Sequence, residues 1–180
     1  MPDCTPLFNL KHWRPPNLAM ASLAGNLEGH EVRIGDLLLN RDNIKQTITE
    51  LINDYRPDVV GTSAMSFQFA TANRIATLVK SISKETVTVL GGYHPTLLYD
   101  EICKTDDSKP FDYIIRGEGE SSFAELLDAI QGRRRLDSVR GLSYRNGNGF
   151  VHNPPRPPED MEKLKLPDRT KRIWPGNHYD

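Results

Sequence analysis

Cysteine is almost missing from this chain: Cys4 and Cys103 stand far apart, and no C-x-x-C spacing occurs. That excludes a disulfide framework, and it excludes a cysteine-rich zinc or iron–sulfur site built by these residues alone. Two free thiols in an otherwise ordinary chain point to a reducing compartment, with the cytoplasm as default. No apolar run approaches the roughly 20 residues that cross a bilayer, and Met1-Pro2-Asp3 does not open a signal peptide, so no membrane association is expected. Charge of one sign is missing too. A net charge of -1 gives no case for nucleic acid, and Arg133-Arg134-Arg135 reads as a solvated run. What remains is ordinary: 180 residues at 37% hydrophobic content bury one domain's core, with room for an appendage.

Along the chain, short apolar runs alternate with helical periods. Thr5–Leu10 reads as a strand, ended by His12, Trp13 and the Pro15-Pro16 pair. Leu18, Leu23 and Leu27 predict a helix closed by Gly29, and Val32 and Ile34 alternate in a second strand over Glu31–Asp36. Asp42 or Asn43 is placed to cap a helix carrying Ile44, Ile48, Leu51 and Ile52. A third strand over Val59–Thr62 runs into Ser63-Ala64-Met65-Ser66, and a helix from about Gln68 to Ser83 buries Ala72, Ile75, Ala76 and Val79. Thr86–Leu90 is a fourth strand, ended by Gly91-Gly92. Asp112–Ile115 is a fifth, followed by Gly117-Glu118-Gly119-Glu120 and a helix over Ser121–Gln131 with Ser121 or Ser122 as cap. Five strand–helix alternations predict an α/β fold, a doubly wound, five-stranded parallel sheet with helices on both faces. After Gly132 the pattern changes. Val139–Tyr144 and Phe150–His152 flank Asn146-Gly147-Asn148-Gly149 as a β-hairpin, and Pro154-Pro155-Arg156-Pro157-Pro158 opens an extended, Pro-rich linker. The expected units are 1–135 for the sheet domain, 136–158 for the hairpin extension and 159–180 for the linker.

Ligands of open parallel sheets bind beyond the carboxyl ends of the strands. There the sequence collects Ser63, Ala64, Met65, Ser66 and Phe67, then Gly91, Gly92, Tyr93, His94 and Pro95, then Gly117, Glu118 and Gly119. Two adjacent glycines remove Cβ atoms and open a slot for a flat or bulky ligand, while Ser63 and Ser66 offer hydroxyls. The same residues also serve a plainer purpose, a tight turn with serines capping the next helix. Phosphate-loop readings fail. Ser122 stands where a dinucleotide fingerprint needs its third glycine, two carboxylates would repel a pyrophosphate, and no G-x-x-x-x-G-K-[ST] occurs. Glu118 and Glu120 suit the start of a helix as charges. His94 reads as a loop residue rather than a metal ligand; His12, His30, His152 and His178 do not cluster with it. No metal site and no catalytic residue is expected in this chain.

Several stretches together resemble one family. They are Leu27-Glu28-Gly29-His30-Glu31-Val32, Pro57-Asp58-Val59-Val60-Gly61, Gly91-Gly92-Tyr93-His94-Pro95-Thr96, Asp112 through Glu120, Gly141-Leu142-Ser143-Tyr144-Arg145 and Leu166-Pro167-Asp168-Arg169. In that order they look like the N-terminal cobalamin-binding domain of cobalamin-dependent radical-SAM enzymes, which include methyltransferases and the anaerobic magnesium-protoporphyrin ester cyclase. The resemblance implies a flavodoxin-like fold with cobalamin on the carboxyl-end face. Residues 63–67 and 91–95 would line the pocket for its nucleotide tail, Gly117, Glu118 and Gly119 would border the corrin, and the loop His12 to Asn17 would face its lower side. On that reading a bulky residue at Gly92 closes the pocket while the domain stays folded.

Two features depart from related patterns. The D-x-H-x-x-G motif, whose histidine binds cobalt from below in methionine-synthase-type domains, is absent, so the lower face is expected to lack a histidine ligand. The C-x-x-x-C-x-x-C motif that holds the 4Fe–4S cluster of radical-SAM enzymes is absent as well. Cluster and S-adenosylmethionine are therefore expected only in a full-length enzyme with a catalytic barrel beyond this chain, which alone should bind a corrinoid without performing the reaction. The competing reading is a flavodoxin-like FMN or sugar-nucleotide binder. A receiver-like domain is weak, because Thr62-Ser63 stand where a phosphorylatable aspartate belongs.

Overall fold

The structure is a computed structural model, and it describes residues 18–147 and 149–174. Its centre is a five-stranded mixed sheet in the order β1 (Val59–Ser63), β2 (Val87–Gly91), β3 (Tyr113–Ile115), β4 (Leu142–Asn146) and β5 (Gly149–His152). The first three strands run parallel, with Val59 opposite Val87, Ser63 opposite Gly91 and Leu90 opposite Ile114. The hairpin then adds antiparallel to β3, Ile115 facing Leu142. Thus the hairpin is part of the sheet itself. Of the two earlier expected strands, Thr5–Leu10 lies outside the described residues. Glu31–Asp36 forms only an isolated parallel bridge from Ile34 to Arg172.

Helices cover both faces, as the strand–helix alternation requires. Side chains of a strand alternate between faces, so Leu90 and Ile114 join Ala72, Ala76, Ile102 and Phe111 on one side. Val89 and Ile115 join Leu126 and Leu142 on the other. The first layer is α3 (Phe69–Ile82) and α4 (Tyr93–Cys103); the second is α5 (Glu120–Ile130). Val79 of α3 also meets Ile48 and Ile52 of α2 (Ile44–Tyr55), the outer helix whose apolar stripe was legible in the sequence.

Local chemistry corrects several boundaries. Helix α1 (Leu18–Gly25) stops short of Gly29, at Gly25, where the carbonyl of Leu166 leaves room only for a glycine. Asn43 stands at the N-cap of α2 without a capping bond. At α5 neither serine caps: Ser122 is fully buried and donates to the Arg140 carbonyl while accepting from Arg156 Nε. The segment after the hairpin packs back on the domain. Asp168 N–H donates to Ala21 O, and Lys165 N–H donates to Asn26 Oδ1.

Candidate functional site

Three turns meet at the carboxyl ends of β1, β2 and β3, which end together because the strands are parallel and in register. The turn after β1 is laced to the turn after β2 by backbone alone: Ala64 N–H donates to Gly91 O at 2.9 Å, and His94 N–H donates to Ala64 O at 3.0 Å. Ala64 is consequently buried, whereas Ser63, Met65, Ser66 and Phe67 around it are exposed.

The serines do not cap the following helix. Ser66 Oγ instead meets His94 Nδ1 at 3.1 Å, and the His94 ring packs on Phe69 with centroids 4.4 Å apart. The turn over Ser66–Gln68 is closed by Gln68, whose Oε1 accepts from Met65 N–H. His94 is thus a bridge between two loops. Among the described residues no group of three His, Cys, Asp or Glu side chains could hold a metal ion.

The two adjacent glycines have different reasons to be glycine. Among the described residues a Cβ on Gly91 would find only Thr62 O, 4.0 Å away, so this position is open to them. Gly92 has φ +97°, and a Cβ there would lie 2.6–2.9 Å from Ser63 Oγ and the Ala64 backbone. Only glycine adopts that conformation without strain. The expectation that a bulky residue at Gly92 leaves the fold intact is therefore overturned; Gly91 is the position that borders free space. Directly after Gly92, residues Tyr93, His94 and Pro95 form the first turn of α4 rather than a continuing loop, and Pro95 suits that turn because it needs no N–H there.

The third turn is held less tightly above than below. Gly117 has φ +82° with nothing within 4 Å of where its Cβ would be, while Gly119 packs near Leu23 of α1. Each of the two carboxylates is anchored through one oxygen: Glu118 Oε2 accepts from Glu159 N–H, and Glu120 Oε1 accepts from Ser22 Oγ. Beneath this turn lies Arg116, a buried guanidinium that sequence reasoning passed over. Its Nη2 donates to the carbonyls of Leu142 and Asn153, and its plane lies 4.4 Å from the Tyr99 ring centre. Among the described residues Nε is buried without a partner. Burial depresses the Arg116 pKa, and Tyr99 opposes that shift. Thr96 was likewise quoted in a motif but given no role; its hydroxyl accepts from Gly117 N–H at 2.9 Å.

Around the opening the surface is apolar. Phe67 is 63% exposed, Tyr93 58%, Leu97 57% and Met65 45%. Exposed large apolar side chains at strand ends suit contact with an apolar group. Open glycines, the Ser63 hydroxyl and bulky apolar neighbours suit a large, mostly flat organic group with polar substituents. His12 to Asn17, expected to face the lower side of such a group, lie outside the described residues.

A family model described as the B12 binding domain matches residues 13–127. An uncharacterized methyltransferase of Pyrococcus horikoshii is 35% identical over 155 residues, 84% of this chain and 33% of that protein. The anaerobic magnesium-protoporphyrin IX monomethyl ester cyclase of Rubrivivax gelatinosus is 35% identical over 141 residues, 76% and 24% respectively. This chain thus spans a third or less of those two relatives. Among solved structures, the cobalamin-dependent S-adenosylmethionine radical enzyme OxsB, with aqua-cobalamin and S-adenosylmethionine bound, superimposes with a TM-score of 0.73. That match is 24% identical and covers 89% of this chain and 22% of OxsB. The radical S-adenosylmethionine methyltransferase TsrM from Kitasatospora setae, with cobalamin and a 4Fe–4S cluster bound, gives 0.64 at 23% identity, covering 85% and 28%. The match of the family model over most of the sheet and its helices decides the assignment: this chain belongs to the B12-binding domain family.

Proposed function

We propose that this chain is the cobalamin-holding module of a larger radical-SAM enzyme, and that it holds its corrinoid at the three turns after β1, β2 and β3. The observation that carries the reading is the pair of uncovered glycines, Gly91 and Gly117, at the ends of two neighbouring parallel strands. When bound, cobalamin supplies a cobalt centre that can carry a methyl group. The chain's own residues bind and orient it. Gly91 admits close approach of the nucleotide tail, Ser63 offers it a hydroxyl, and Met65, Phe67 and Tyr93 keep water from its apolar surfaces. Gly117, Glu118 and Gly119 border the corrin and its amides. Chemistry on a substrate belongs to a catalytic barrel outside this chain, and the reaction class, methyl transfer or ring closure, belongs to that part too.

An FMN or sugar-nucleotide site fits less well. Residues 63–67, 91–95 and 117–119 contain no Lys or Arg to balance a phosphate dianion, and Glu118 adds a negative charge. The test is direct. After incubation with excess hydroxocobalamin, the purified chain should emerge from gel filtration red, with about one corrinoid per chain. A colourless protein peak, with FMN co-eluting in a parallel run, would overturn the proposal.

A further inference from the structure

We infer that Thr96 is a positioning residue that sets the spacing between the tail-side turn and the corrin-side turn, an inference that rests on the corrinoid reading above. Thr96 sits in the first turn of α4, four residues after Gly92. Its single hydroxyl proton is committed: Oγ1 donates to Gly92 O at 2.8 Å, reinforcing the bond from Thr96 N–H to the same carbonyl at 3.2 Å. A hydroxyl has one proton and two lone pairs. With the proton spent on Gly92, a lone pair is left to face Gly117 N–H, 2.9 Å away.

One oxygen atom therefore joins the turn after β2 to the turn after β3. The strands beneath do not make this link, because β2 and β3 pair only through Val89–Tyr113 and Leu90–Ile114, below both turns. The turn after β1 is tied to the turn after β2 by two backbone bonds, which no side-chain change removes. Gly117 has φ +82°, and no described atom lies within 4 Å of its Cβ position, so no side chain packs on it from that side. The Thr96 hydroxyl is what fixes its N–H direction. A ligand touching both turns needs their separation set in advance; a ligand touching only one does not.

The two corrinoids hydroxocobalamin and cobinamide separate these cases, since cobinamide keeps the corrin but lacks the nucleotide tail. Thr96→Val keeps the shape of the side chain and removes the hydroxyl, and Thr96→Ser restores the hydroxyl. One hydrogen bond lost from a preorganised site corresponds to about a tenfold weakening. Spectroscopic titration should show Thr96→Val binding hydroxocobalamin about tenfold more weakly and cobinamide no more than about threefold more weakly. Thr96→Ser should bind both within about twofold of wild type. The Gly117 amide should exchange faster with deuterium in Thr96→Val alone. Equal weakening for both corrinoids, or hydroxocobalamin binding by Thr96→Val unchanged while that amide exchanges faster, would overturn the inference and leave the corrinoid site standing. Wild-type chain that binds neither corrinoid would sink the site itself, and the positioning role with it.

Discussion

The two ends of the parallel strands are built on opposite plans. At the amino end Thr86, Thr88 and Asp112 are spent on structure. Thr86 Oγ1 donates to Pro57 O, and Thr88 Oγ1 donates to Pro110 O. Asp112 Oδ2 takes the buried Thr88 N–H at 2.7 Å and the Lys80 ammonium at 2.5 Å, and Lys80 also donates to Thr86 O. At the carboxyl end many residues are small, open or exposed, and the turns are held by a few backbone bonds and by the side chains of Ser66, Gln68, His94 and Thr96. A ligand site needs unfilled space and unspent donors, so the stability it forgoes must be supplied elsewhere. Here the opposite end of the same strands supplies it.

Substitutions that move stability and corrinoid affinity separately test this division. The largest effect is expected at Gly92, where both the backbone angle and the packing exclude a side chain. Gly92→Ala must take a strained φ and press on Ala64, which should cost roughly 3 kcal/mol or more in urea unfolding. Gly91→Leu, by contrast, should leave stability within about 1 kcal/mol and weaken hydroxocobalamin at least tenfold. Equal stability losses at both glycines would break the comparison.

At the amino end, Asp112→Ala strands a buried N–H on Thr88 and should cost about 1–3 kcal/mol with corrinoid affinity unchanged in the fraction that is folded. A weaker effect concerns pH. His152 contacts Ser143 Oγ and packs edge-on against Tyr99. Desolvation first, and the Arg116 charge next, lower its pKa below the ordinary 6.5. Lys104 adds to that shift and Asp100 opposes it. The folded chain thus prefers the neutral ring. This contribution is complete above the unfolded value and is lost as pH falls through it towards the folded value. The ring is exposed, so the effect is small: the urea midpoint should drop slightly from pH 7 to pH 5.5, and less so in His152→Gln.

The parallel strands were legible because Val59–Thr62 and Thr86–Leu90 are runs of β-branched residues punctuated by Pro57 and by Gly91-Gly92. Helices α2, α3 and α5 were legible from their apolar spacing. Helix α4 was not, because its first turn is Tyr93-His94-Pro95, residues that read as a loop until Gly92 is seen to take φ +97° and turn the chain into the helix. The caps open to Ser63, Ser66, Ser121 and Ser122 are not formed, for a related reason: a hydroxyl's partner is chosen by what packs against it. Ser122 is held in the interior by Arg140 O and Arg156, and Ser66 meets His94 at the surface.

Sequence alone determined the alternation of strands and helices, the glycines at strand ends and the resemblance to a corrinoid-binding family, because these depend on local conformation and on residue order. Tertiary structure decided which glycine is open and which is locked. It also decided that the hairpin completes the sheet, that Arg116 is buried beneath the third turn, and that Thr96 bridges two loops. Each of these depends on residues distant in the chain meeting within hydrogen-bonding or van der Waals range, and no local pattern encodes such a meeting.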